Sequence, residues 1–262
     1  MNAQTKQPAQ GSASAHRALV LIPSYNTGAL VVQTVAAARA QWQPVWVVID
    51  GSTDGSDRAL RDRFADDADV TILRLTINSG KGSALLVGME RALDLGYTHV
   101  LTMDADGQHP AELIRSFMSS SRAQAGAMIL GVPVFATDAP ALRTNGRKVS
   151  NWWANLETLW AGVDDSLFGF RVYPIALLVN IMHKHRWMRR FDFDVEAVVR
   201  LYWGGVQPIS LSAPVRYLSA EEGGVSHFNY VRDNILLTWM HVRLFAEFLV
   251  RLPWLLFRRN KY

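Results

Sequence analysis

Five short apolar runs alternate with longer segments of helical periodicity over residues 18–130. Short apolar runs bounded by Pro, Gly or Asp are typical of buried strands. Strands that alternate with helices through short links predict a mostly parallel sheet with right-handed crossovers. The predicted strands are 18–22, 45–49, 70–75, 99–103 and 127–130, and the predicted helices are 27–41, 57–64 with Ser56 as N-cap, 81–95 and 110–125.

Beyond residue 131 the pattern is less regular and predicts shorter elements. A helix is expected over 145–160, and its Trp152, Trp153 and Trp160 fit core packing better than an acceptor groove. The remaining predicted elements are a loop with a short strand over 164–173, a helix over 195–202, a strand over 209–217 and a Gly-containing loop over 221–226.

The last segment, 229–257, is long enough to span a bilayer but carries central charges. Each such charge costs about 2.5–3.5 kcal/mol on the insertion scale. Arg243, Glu247 and Arg251 recur every four residues and therefore line one helix face, with Arg232 near the same stripe. Packing on the protein's own core is one interpretation. The favoured one is an amphipathic helix that lies in the membrane interface, with its C-terminal cations towards lipid phosphates: Arg258, Arg259 and Lys261.

Composition and charge narrow the possible functions. The 262 residues include no Cys, which excludes disulfides, thiolate metal sites and a cysteine nucleophile. Residues 1–185 are balanced in charge, so the net +4 lies entirely within residues 186–262. A modest basic excess beside apolar sequence favours an anionic membrane surface over nucleic acid as a partner. The polar residues 1–17 predict a disordered tail rather than a signal peptide.

The most specific chemical signal is an acidic pair that follows the fourth predicted strand. Asp104 and Asp106 stand two residues apart, and hard divalent cations prefer such oxygen ligands. An Asp-x-Asp pair also occurs by chance in surface loops. Its position favours a metal and phosphate site, because ligands bind beyond the carboxyl ends of parallel strands. His109, beside Pro110, fits loop structure better than metal ligation.

Two further polar stretches follow the second and third predicted strands. Asp50 ends the second strand and can accept hydrogen bonds from a nucleobase or ribose, whereas Asp54 and Ser56 fit a turn and a helix cap. Lys81 follows Gly80 at the start of a helix, where anions bind, but it fits a solvated helix residue equally well. The stretch lacks the spacing of a nucleotide-binding P-loop.

Six segments follow one another along residues 18–217. They are Ile22-Pro23-Ser24-Tyr25-Asn26, Asp50-Gly51-Ser52-Thr53-Asp54-Gly55, Asn78-Ser79-Gly80-Lys81-Gly82, Asp104-Ala105-Asp106-Gly107-Gln108-His109-Pro110, Asp165-Ser166-Leu167-Phe168-Gly169-Phe170-Arg171 and Phe193-Asp194-Val195-Glu196. Their sequences and order resemble family 2 glycosyltransferases, most closely the dolichyl-phosphate mannose synthase and polyprenyl-phosphate sugar transferase group.

The resemblance implies a GT-A fold, an α/β architecture with a Rossmann-like, mostly parallel sheet flanked by helices. It also implies Mg²⁺ or Mn²⁺ on the diphosphate of a nucleotide-sugar donor, with the metal held by Asp104, Asp106 and Gln108. The implied donor-binding residues are Pro23, Tyr25, Asn26, Asp50, Ser52, Lys81, Asp104, Ala105 and Asp106. The implied catalytic residues are Asp104, Asp106, Asp194 and Arg171, with Gly169, Phe170 and Arg171 near the donor sugar or the acceptor phosphate.

The chain departs from the group's pattern at two places. Ile49 stands where the family often has a first Asp. Gly131-Val132-Pro133 follows the fifth strand where the group often has Gly-Ser-Arg, so an Arg expected at the acceptor phosphate is missing, and Arg143 and Arg147 are candidate substitutes. A later stretch resembles a subgroup that acts in bacterial glycolipid or aryl-polyene lipid pathways: Gly223-Gly224-Val225-Ser226-His227-Phe228 and Arg232-Asp233-Asn234.

The expected activity is metal-dependent, inverting transfer of a sugar from a UDP- or GDP-sugar to a lipid acceptor. An ionised lipid phosphate needs no general base, whereas a hydroxyl acceptor does. Asp194 is the first candidate base and Glu196 the second, and each alternatively forms a structural ion pair with Arg189 or Arg190.

Two other functions are carried as alternatives, a nucleotidyltransferase and a non-catalytic, membrane-associated nucleotide-sugar binding protein. A nucleotidyltransferase needs a Gly-rich basic loop after the first strand, which residues 23–28 lack. The expected location is the cytoplasmic face of the inner membrane, as a peripheral protein. The expected organisation is a tail (1–17), a GT-A domain (18–228) and an amphipathic helical segment (229–262).

Overall fold

The computed structural model describes residues 16–135, 141–215 and 230–259. Within these residues the chain builds a seven-stranded sheet in the spatial order β3-β2-β1-β4-β6-β5-β7. The strands are β1 (Ala18–Ser24), β2 (Val45–Asp50), β3 (Val70–Leu75), β4 (His99–Thr102), β5 (Ala127–Val134), β6 (Arg171–Pro174) and β7 (Gln207–Pro214).

All strands but one run in the same direction, which confirms the predicted mostly parallel sheet. β1 pairs in parallel with β2 and β4, β2 with β3, and β5 with β7, whereas β6 is antiparallel to both β4 and β5. Ser24 lies opposite Ile49, and Leu21 lies opposite Thr102. The carboxyl ends of β1, β2 and β4 therefore share one edge, where open α/β sheets bind ligands.

Eight α-helices flank the sheet in the described residues, and one of them was not predicted. The unpredicted helix is α6 (Ile175–Lys184). It was missed because the periodicity of a ten-residue, mostly apolar segment does not distinguish a helix from a strand. The helix α2 (Ser56–Phe64) begins after Gly55, which has φ of 82°. Ser56 is therefore the first residue of α2 and not, as was predicted, its N-cap. The helices are α1 (Leu30–Gln41), α2 (Ser56–Phe64), α3 (Lys81–Asp94), α4 (Ile114–Ala123) after a 3₁₀ turn (Ala111–Leu113), α5 (Ala141–Glu157), α6 (Ile175–Lys184), α7 (Phe193–Trp203) and α8 (Tyr230–Arg259).

The strand β1 is buried on both faces, because helices cover each side of the sheet. Leu21 packs in one apolar cluster with Met89, and Ile22 packs in a second cluster with Phe117. All four side chains are at most 1% exposed. Burial on both faces explains why residues 18–22 are apolar without alternation.

The tryptophans of the α5 region do not share the predicted core packing. Trp153 packs edge-on against Phe245 of α8, with ring centroids 5.5 Å apart. Trp152 is 53% exposed, and Trp160 is 58% exposed. The prediction was wrong for these two residues, because α5 contacts α8 through the face that carries Trp153 and leaves Trp152 on the outside.

The long helix α8 packs on the protein's own core. Its buried face carries Met240, Leu244, Phe248 and Leu255, each at most 4% exposed. This packing agrees with the alternative interpretation of residues 229–257. None of the helices within the described residues combines the length and the apolar character that crossing a bilayer requires.

Two members of the charged stripe of α8, Arg243 and Glu247, pair with α7, whereas Arg251 is 43% exposed. Arg243 Nη2 lies 3.0 Å from Glu196 Oε2, and Arg200 Nη2 lies 2.8 Å from Glu247 Oε1. Arg258, expected to point towards lipid phosphates, donates instead to two backbone carbonyls at the end of α7. The reason is that α7 supplies partners of opposite charge for the stripe.

Several expectations concern parts of the chain that lie outside the described residues. They are most of the tail 1–17, the loop 221–226, the stretch Gly223 to Phe228, the side chains of Arg143 and Arg232, and Lys261. These remain predictions.

Candidate active site

The carboxylate of Asp50 fastens the loop after β3 to the end of β2. Its Oδ1 accepts a hydrogen bond from the Ser79 N–H at 2.7 Å, and its Oδ2 accepts one from the Gly80 N–H at 2.7 Å. Gly51 has φ of 67°, and a Cβ there would lie 2.4 Å from Asn78 N, so this close approach requires glycine. Asp50 thus shapes the loop at the expected edge, and its contact with a nucleoside remains a prediction.

The loops after β1 and β2 are joined through two of the residues predicted to bind the donor. The Asn26 N–H donates to Ser52 Oγ at 3.0 Å, and Asn26 Oδ1 accepts from the Thr53 N–H at 2.8 Å. Pro23 and Tyr25, which precede Asn26, are half-buried. The structure therefore brings Asn26 and Ser52, two of the predicted donor-binding residues, together.

Asp54 has the local structural role that its sequence context predicts. Its Oδ1 accepts from both the N–H and the hydroxyl of Ser56, and its Oδ2 accepts from the Gly28 N–H at 2.7 Å. Burial alone would raise the pKa of Asp54, but these hydrogen bonds lower it. Asp54 therefore stabilises the start of α2 and the neighbouring loop.

At the centre of the site, one lysine bridges two carboxylates. Lys81 Nζ lies 2.7 Å from Asp104 Oδ1 and 2.7 Å from Asp194 Oδ2. Burial alone would lower the pKa of Lys81, but the two carboxylate charges raise it above its usual value. The side chain of Lys81 is 11% exposed, so it is not the solvated residue considered from sequence, and its contact with the donor remains a prediction.

The ionisation of the two carboxylates reflects this bridge. Burial acts to raise the pKa of Asp104, but the neighbouring Lys81 ammonium lowers it below its usual value. For Asp194, burial dominates and raises the pKa despite the same ammonium. Asp194 Oδ1 is buried and has no hydrogen-bond partner among the described residues.

Asp106, the second member of the acidic pair, forms no ion pair within the described residues, and the nearby charge of Lys81 does not offset its burial. Burial first, and then the charge of Asp104, raise the pKa of Asp106 to about 6. Asp106 Oδ1 accepts from the backbone N–H of Gln108 at 3.0 Å. Ala105 between the two carboxylates is 3% exposed, and its carbonyl accepts from the hydroxyl of Thr34 at 3.2 Å.

His109 holds the backbone of the acidic pair through a hydrogen bond to Asp104. Its Nδ1 accepts from the backbone N–H of Asp104 at 2.9 Å, and its ring packs edge-on against Phe168 and Phe170. Burial lowers the pKa of His109 to about 4, so the imidazole is neutral near pH 7. These contacts agree with the predicted structural role.

Gly169 leaves space in front of the bridge. A Cβ at this position would lie 2.7 Å from Lys81 Nζ and about as close to the carboxylate oxygens of Asp104, at 3.0 and 3.2 Å. The Gly169 carbonyl accepts from the hydroxyl of Thr102 at 2.8 Å, which holds the loop against β4. Any side chain here would displace the lysine or the carboxylate.

Arg171 was expected near the donor sugar or the acceptor phosphate, and it lies deeper. The residue is 0% exposed. Its guanidinium donates to the hydroxyl of Tyr173 at 3.1 Å, to the backbone carbonyl of Asp165 at 3.2 Å and to the backbone carbonyl of Asp194. These contacts favour a positioning role, because the guanidinium ties the residue 165 loop to the start of α7.

The two candidate bases occupy different environments. Asp194 pairs with Lys81 and not with Arg189 or Arg190, the partners considered from sequence. Glu196 is 0% exposed and pairs with Arg200 at 2.7 Å and with Arg243 at 3.0 Å. Glu196 therefore belongs to an ion network between α7 and α8, which corrects its placement as a candidate base.

Arg147 was a candidate substitute for the missing acceptor-phosphate arginine, and it has a structural partner. Its Nη1 lies 2.7 Å from Asp165 Oδ1, and its guanidinium stacks over Phe135. The same Asp165 oxygen accepts from the backbone N–H groups of Leu167 and Phe168. No role for Asp165 was predicted from the sequence. Its position at the start of the segment 165–171, which resembles the family, was the signal that could have indicated one.

The acidic pair fits a divalent cation in its chemistry. Two carboxylates lie at the carboxyl end of β4, and burial first and then the charge of Asp104 raise the pKa of Asp106 to about 6. No group of three or more His, Asp and Glu side chains forms a metal cage within the described residues. A site with few protein ligands suits Mg²⁺, which usually keeps waters and binds substrate phosphates.

Comparison with solved structures supports the architecture. Glucosyl-3-phosphoglycerate synthase from Mycobacterium tuberculosis, crystallised with Mn²⁺, UDP-glucose and phosphoglyceric acid, matches with a TM-score of 0.58. The match covers 94% of this chain and 85% of that chain at 14% identity, so it concerns the fold. It confirms the GT-A fold that the sequence motifs imply.

Comparison with curated proteins supports the family. Undecaprenyl-phosphate mannosyltransferase of Micrococcus luteus is 26% identical over 79% of this chain and 86% of that protein. Polyprenol monophosphomannose synthase of Mycolicibacterium smegmatis is 29% identical over 79% of each chain. The model of glycosyl transferase family 2 matches residues 19–193, which is more than half of the chain. The chain therefore belongs to glycosyl transferase family 2.

Proposed function

We propose that this protein is an inverting glycosyltransferase that moves a sugar from a nucleotide-sugar donor to a polyprenyl phosphate at the membrane surface. The observation that carries the proposal is the placement of Asp104 and Asp106 beyond β4, on the edge that also holds the Asp50 loop. Two similar proteins are named undecaprenyl-phosphate mannosyltransferase and polyprenol monophosphomannose synthase, which favours a lipid phosphate as acceptor.

On the donor side, we propose that the loops after β1 and β2 bind the nucleoside. Asn26 and Ser52 hold these loops together, and Asp50 holds the loop that follows β3. Pro23 and Tyr25 lie in the first loop, half-buried beside this framework. UDP and GDP are the two nucleotides that the donor assay must distinguish.

We propose that Asp104, Asp106 and Gln108 hold Mg²⁺ or Mn²⁺ when the donor binds. A bound divalent cation acts as a Lewis acid and stabilises the charge on the departing diphosphate. Lys81 positions Asp104, since it bonds one carboxylate oxygen. Gly169 keeps the approach to that carboxylate open.

The acceptor chemistry follows from the charge of a phosphate. A polyprenyl phosphate oxygen is already ionised and attacks the anomeric carbon as the bond to the diphosphate breaks. Attack from the face opposite the leaving group inverts the anomeric configuration. Because no proton has to be removed, Asp194 then acts as the counter-ion of Lys81 and not as a base.

One observation favours a second candidate, transfer to a lipid hydroxyl. Asp194 Oδ1 is buried without a hydrogen-bond partner among the described residues, and burial raises the pKa of Asp194. A carboxylate with a raised pKa is suited to accept a proton from a hydroxyl. In that reaction Asp194 is the general base.

We propose that the protein is peripheral to the cytoplasmic face of the membrane, since its basic excess lies in residues 186–262.

The test of the proposed transferase activity incubates the purified chain with labelled UDP- and GDP-sugars, Mn²⁺, and either a polyprenyl phosphate or the corresponding polyprenol. Labelled sugar in the phosphate-linked lipid, with inverted anomeric configuration, is the expected product. Transfer only to the polyprenol would show that the acceptor is a lipid hydroxyl and not a lipid phosphate. Donor binding without transfer to either lipid would contradict the proposed function.

A further inference from the structure

A strongly basic segment covers the last two residues of α6 and the loop that leads towards α7. Residues 183–191 contain Lys184, Arg186, Arg189 and Arg190 and no acidic residue, and we call them the basic loop. Within it, Trp187 is 59% exposed, although a tryptophan usually buries most of its surface. An exposed tryptophan among cations is typical of a surface that meets a lipid headgroup region.

The outward face of α8 is apolar along most of its length. At about 100° per residue, its exposed large side chains fall within one half of the helix circumference, so they lie on one side of the helix. We call this face the apolar stripe, and it comprises Ile235, Trp239, Val242, Leu249, Val250, Trp254 and Leu256, which are between 45% and 83% exposed. The acidic residues of α8 lie off this stripe, since Asp233 is 1% exposed and Glu247 pairs with Arg200.

The basic loop and the apolar stripe adjoin each other. The Arg243 guanidinium of α8 lies 5.2 Å from the ring centroid of Trp187, and Arg243 follows the exposed Val242. His185 Nε2 lies 3.1 Å from Arg200 Nη1, which also bonds Glu247 of α8. One surface therefore combines an apolar helix face with a cationic border.

The basic loop also adjoins the candidate active site. The Arg189 carbonyl accepts from the Ser83 N–H at 3.1 Å, in the first turn of α3. A Cβ on Gly80 would lie 2.4 Å from the same carbonyl, so the loop and the start of α3 are in direct contact. Lys81, which bridges Asp104 and Asp194, is the first residue of that helix.

We propose that the basic loop and the apolar stripe form one docking surface for a bilayer that contains anionic phospholipid. Apolar side chains on an interfacial helix enter the headgroup boundary, and Lys and Arg near the surface attract anionic lipid. Charge complementarity favours this partner over a second copy of the chain, because two basic loops would repel each other. The inference rests on the proposed function in one respect, since a lipid acceptor in that bilayer would present its phosphate beside the active site.

The test measures binding of the full chain to vesicles by co-sedimentation, without donor or acceptor. Vesicles of phosphatidylcholine alone are compared with vesicles that also contain phosphatidylglycerol. The charge variant is Lys184→Gln/Arg186→Gln, and the matched control is Arg58→Gln/Arg61→Gln, which removes two exposed positive charges from α2. A third variant, Val250→Ser, reduces the apolar stripe at its most exposed residue.

The expected result is binding to the anionic vesicles that the charge variant weakens by roughly 30-fold and that added salt weakens further. The control variant should bind like the wild type, and Val250→Ser should bind more weakly. Equal binding of the wild type to both vesicle types, or no binding to any lipid vesicle, would overturn the proposal. It would also be overturned if the control variant lost as much vesicle binding as the charge variant. Conversion of a dimer to a monomer by Val250→Ser would also overturn it and identify a second copy as the occupant.

Failure of the docking surface and failure of the proposed function give different results. Donor binding is measured without vesicles, and sugar transfer is measured with acceptor dispersed in detergent. Normal vesicle binding without transfer would contradict the function and leave the docking surface intact. Transfer in detergent without selective vesicle binding would contradict the docking surface alone.

Discussion

Lys81 Nζ lies 2.7 Å from Asp194 Oδ2, although the two residues are 113 positions apart in the chain. Lys81 begins α3 and Asp194 lies in the first turn of α7, so the contact joins two helices across the candidate active site. The same ammonium holds Asp104 at the end of β4. A buried cation thus holds the first residue of the acidic pair in place.

Replacing Lys81 with Met should destabilise the protein markedly. The substitution leaves the buried Asp194 carboxylate without its cation, and breaking a buried pair costs about 3–5 kcal/mol. Chemical denaturation at pH 8 measures the loss in free energy of unfolding. The loss should shrink as pH falls, because the raised pKa of Asp194 lets the folded protein take up a proton.

The double variant Lys81→Met/Asp194→Asn is the control for this interpretation. A neutral amide removes the unpaired charge, so the double variant should be more stable than Lys81→Met alone. A Lys81→Met protein as stable as the wild type would show that the bridge contributes nothing.

Replacing Asp106 with Asn should stabilise the protein in the absence of metal while it abolishes transfer. Burial and the neighbouring Asp104 raise the pKa of Asp106 to about 6, so above that pH the folded protein carries a buried carboxylate charge that costs stability. Removing the charge should add about 1–2 kcal/mol to the free energy of unfolding at pH 8. The gain should diminish as pH falls through 6, be small near pH 4, and vanish below the usual aspartate pKa of about 3.9, where Asp106 is protonated in both folded and unfolded protein.

Denaturation of both proteins in the presence of a chelator, at pH 8 and near pH 4, measures this difference. A loss of stability on Asp106→Asn at pH 8 would mean that the carboxylate is already satisfied within the protein.

Replacing Gly169 with Ala should reduce activity with little change in fold. The added Cβ would lie 2.7 Å from Lys81 Nζ, so the bridge and Asp104 must move. Small displacements at a reacting centre cost roughly 10- to 100-fold in rate. Gly126→Ala is the matched control, because a Cβ there meets nothing within 4 Å. If the two variants retained the same kcat/KM, Gly169 would have no part in the site.

Replacing Glu196 with Gln should affect stability and not chemistry. Glu196 is fully buried between Arg200 and Arg243, so the substitution leaves two cations undercompensated. The expected loss is about 3 kcal/mol in the free energy of unfolding. The folded fraction should keep its specific activity at low temperature. A stable Glu196→Gln protein without activity would return this residue to the role of a base.

The strands and the site edge were predictable because their signals are local. Residues 18–22 are buried on both faces, and such strands are uninterrupted apolar runs. Asp50 ends β2 and Asp104 follows β4, and both strands pair in parallel with β1, so topology alone places both residues on one edge. The family-like order of the motifs then indicated which polar residues belong together.

The contacts that define the site depend on tertiary structure and were not predictable. No spacing relates Lys81 to Asp194, because loops and α4 to α6 lie between them in the chain. The four-residue spacing of Arg243 and Glu247 defined a helix face but not its direction, which depends on partners in α7. For the same reason, the sequence did not reveal that Glu196 pairs with Arg200 and Arg243 instead of Arg189 or Arg190.

Equilibrium binding of UDP and GDP, with and without Mn²⁺, tests the central claim that the acidic pair couples a divalent cation to the donor diphosphate. For wild-type protein, Mn²⁺ should tighten binding of one nucleotide at least roughly tenfold, a coupling of about 1.4 kcal/mol. For Asp106→Asn, Mn²⁺ should leave nucleotide binding unchanged. An equal effect of Mn²⁺ on both proteins, or no effect on the wild type, would contradict the account.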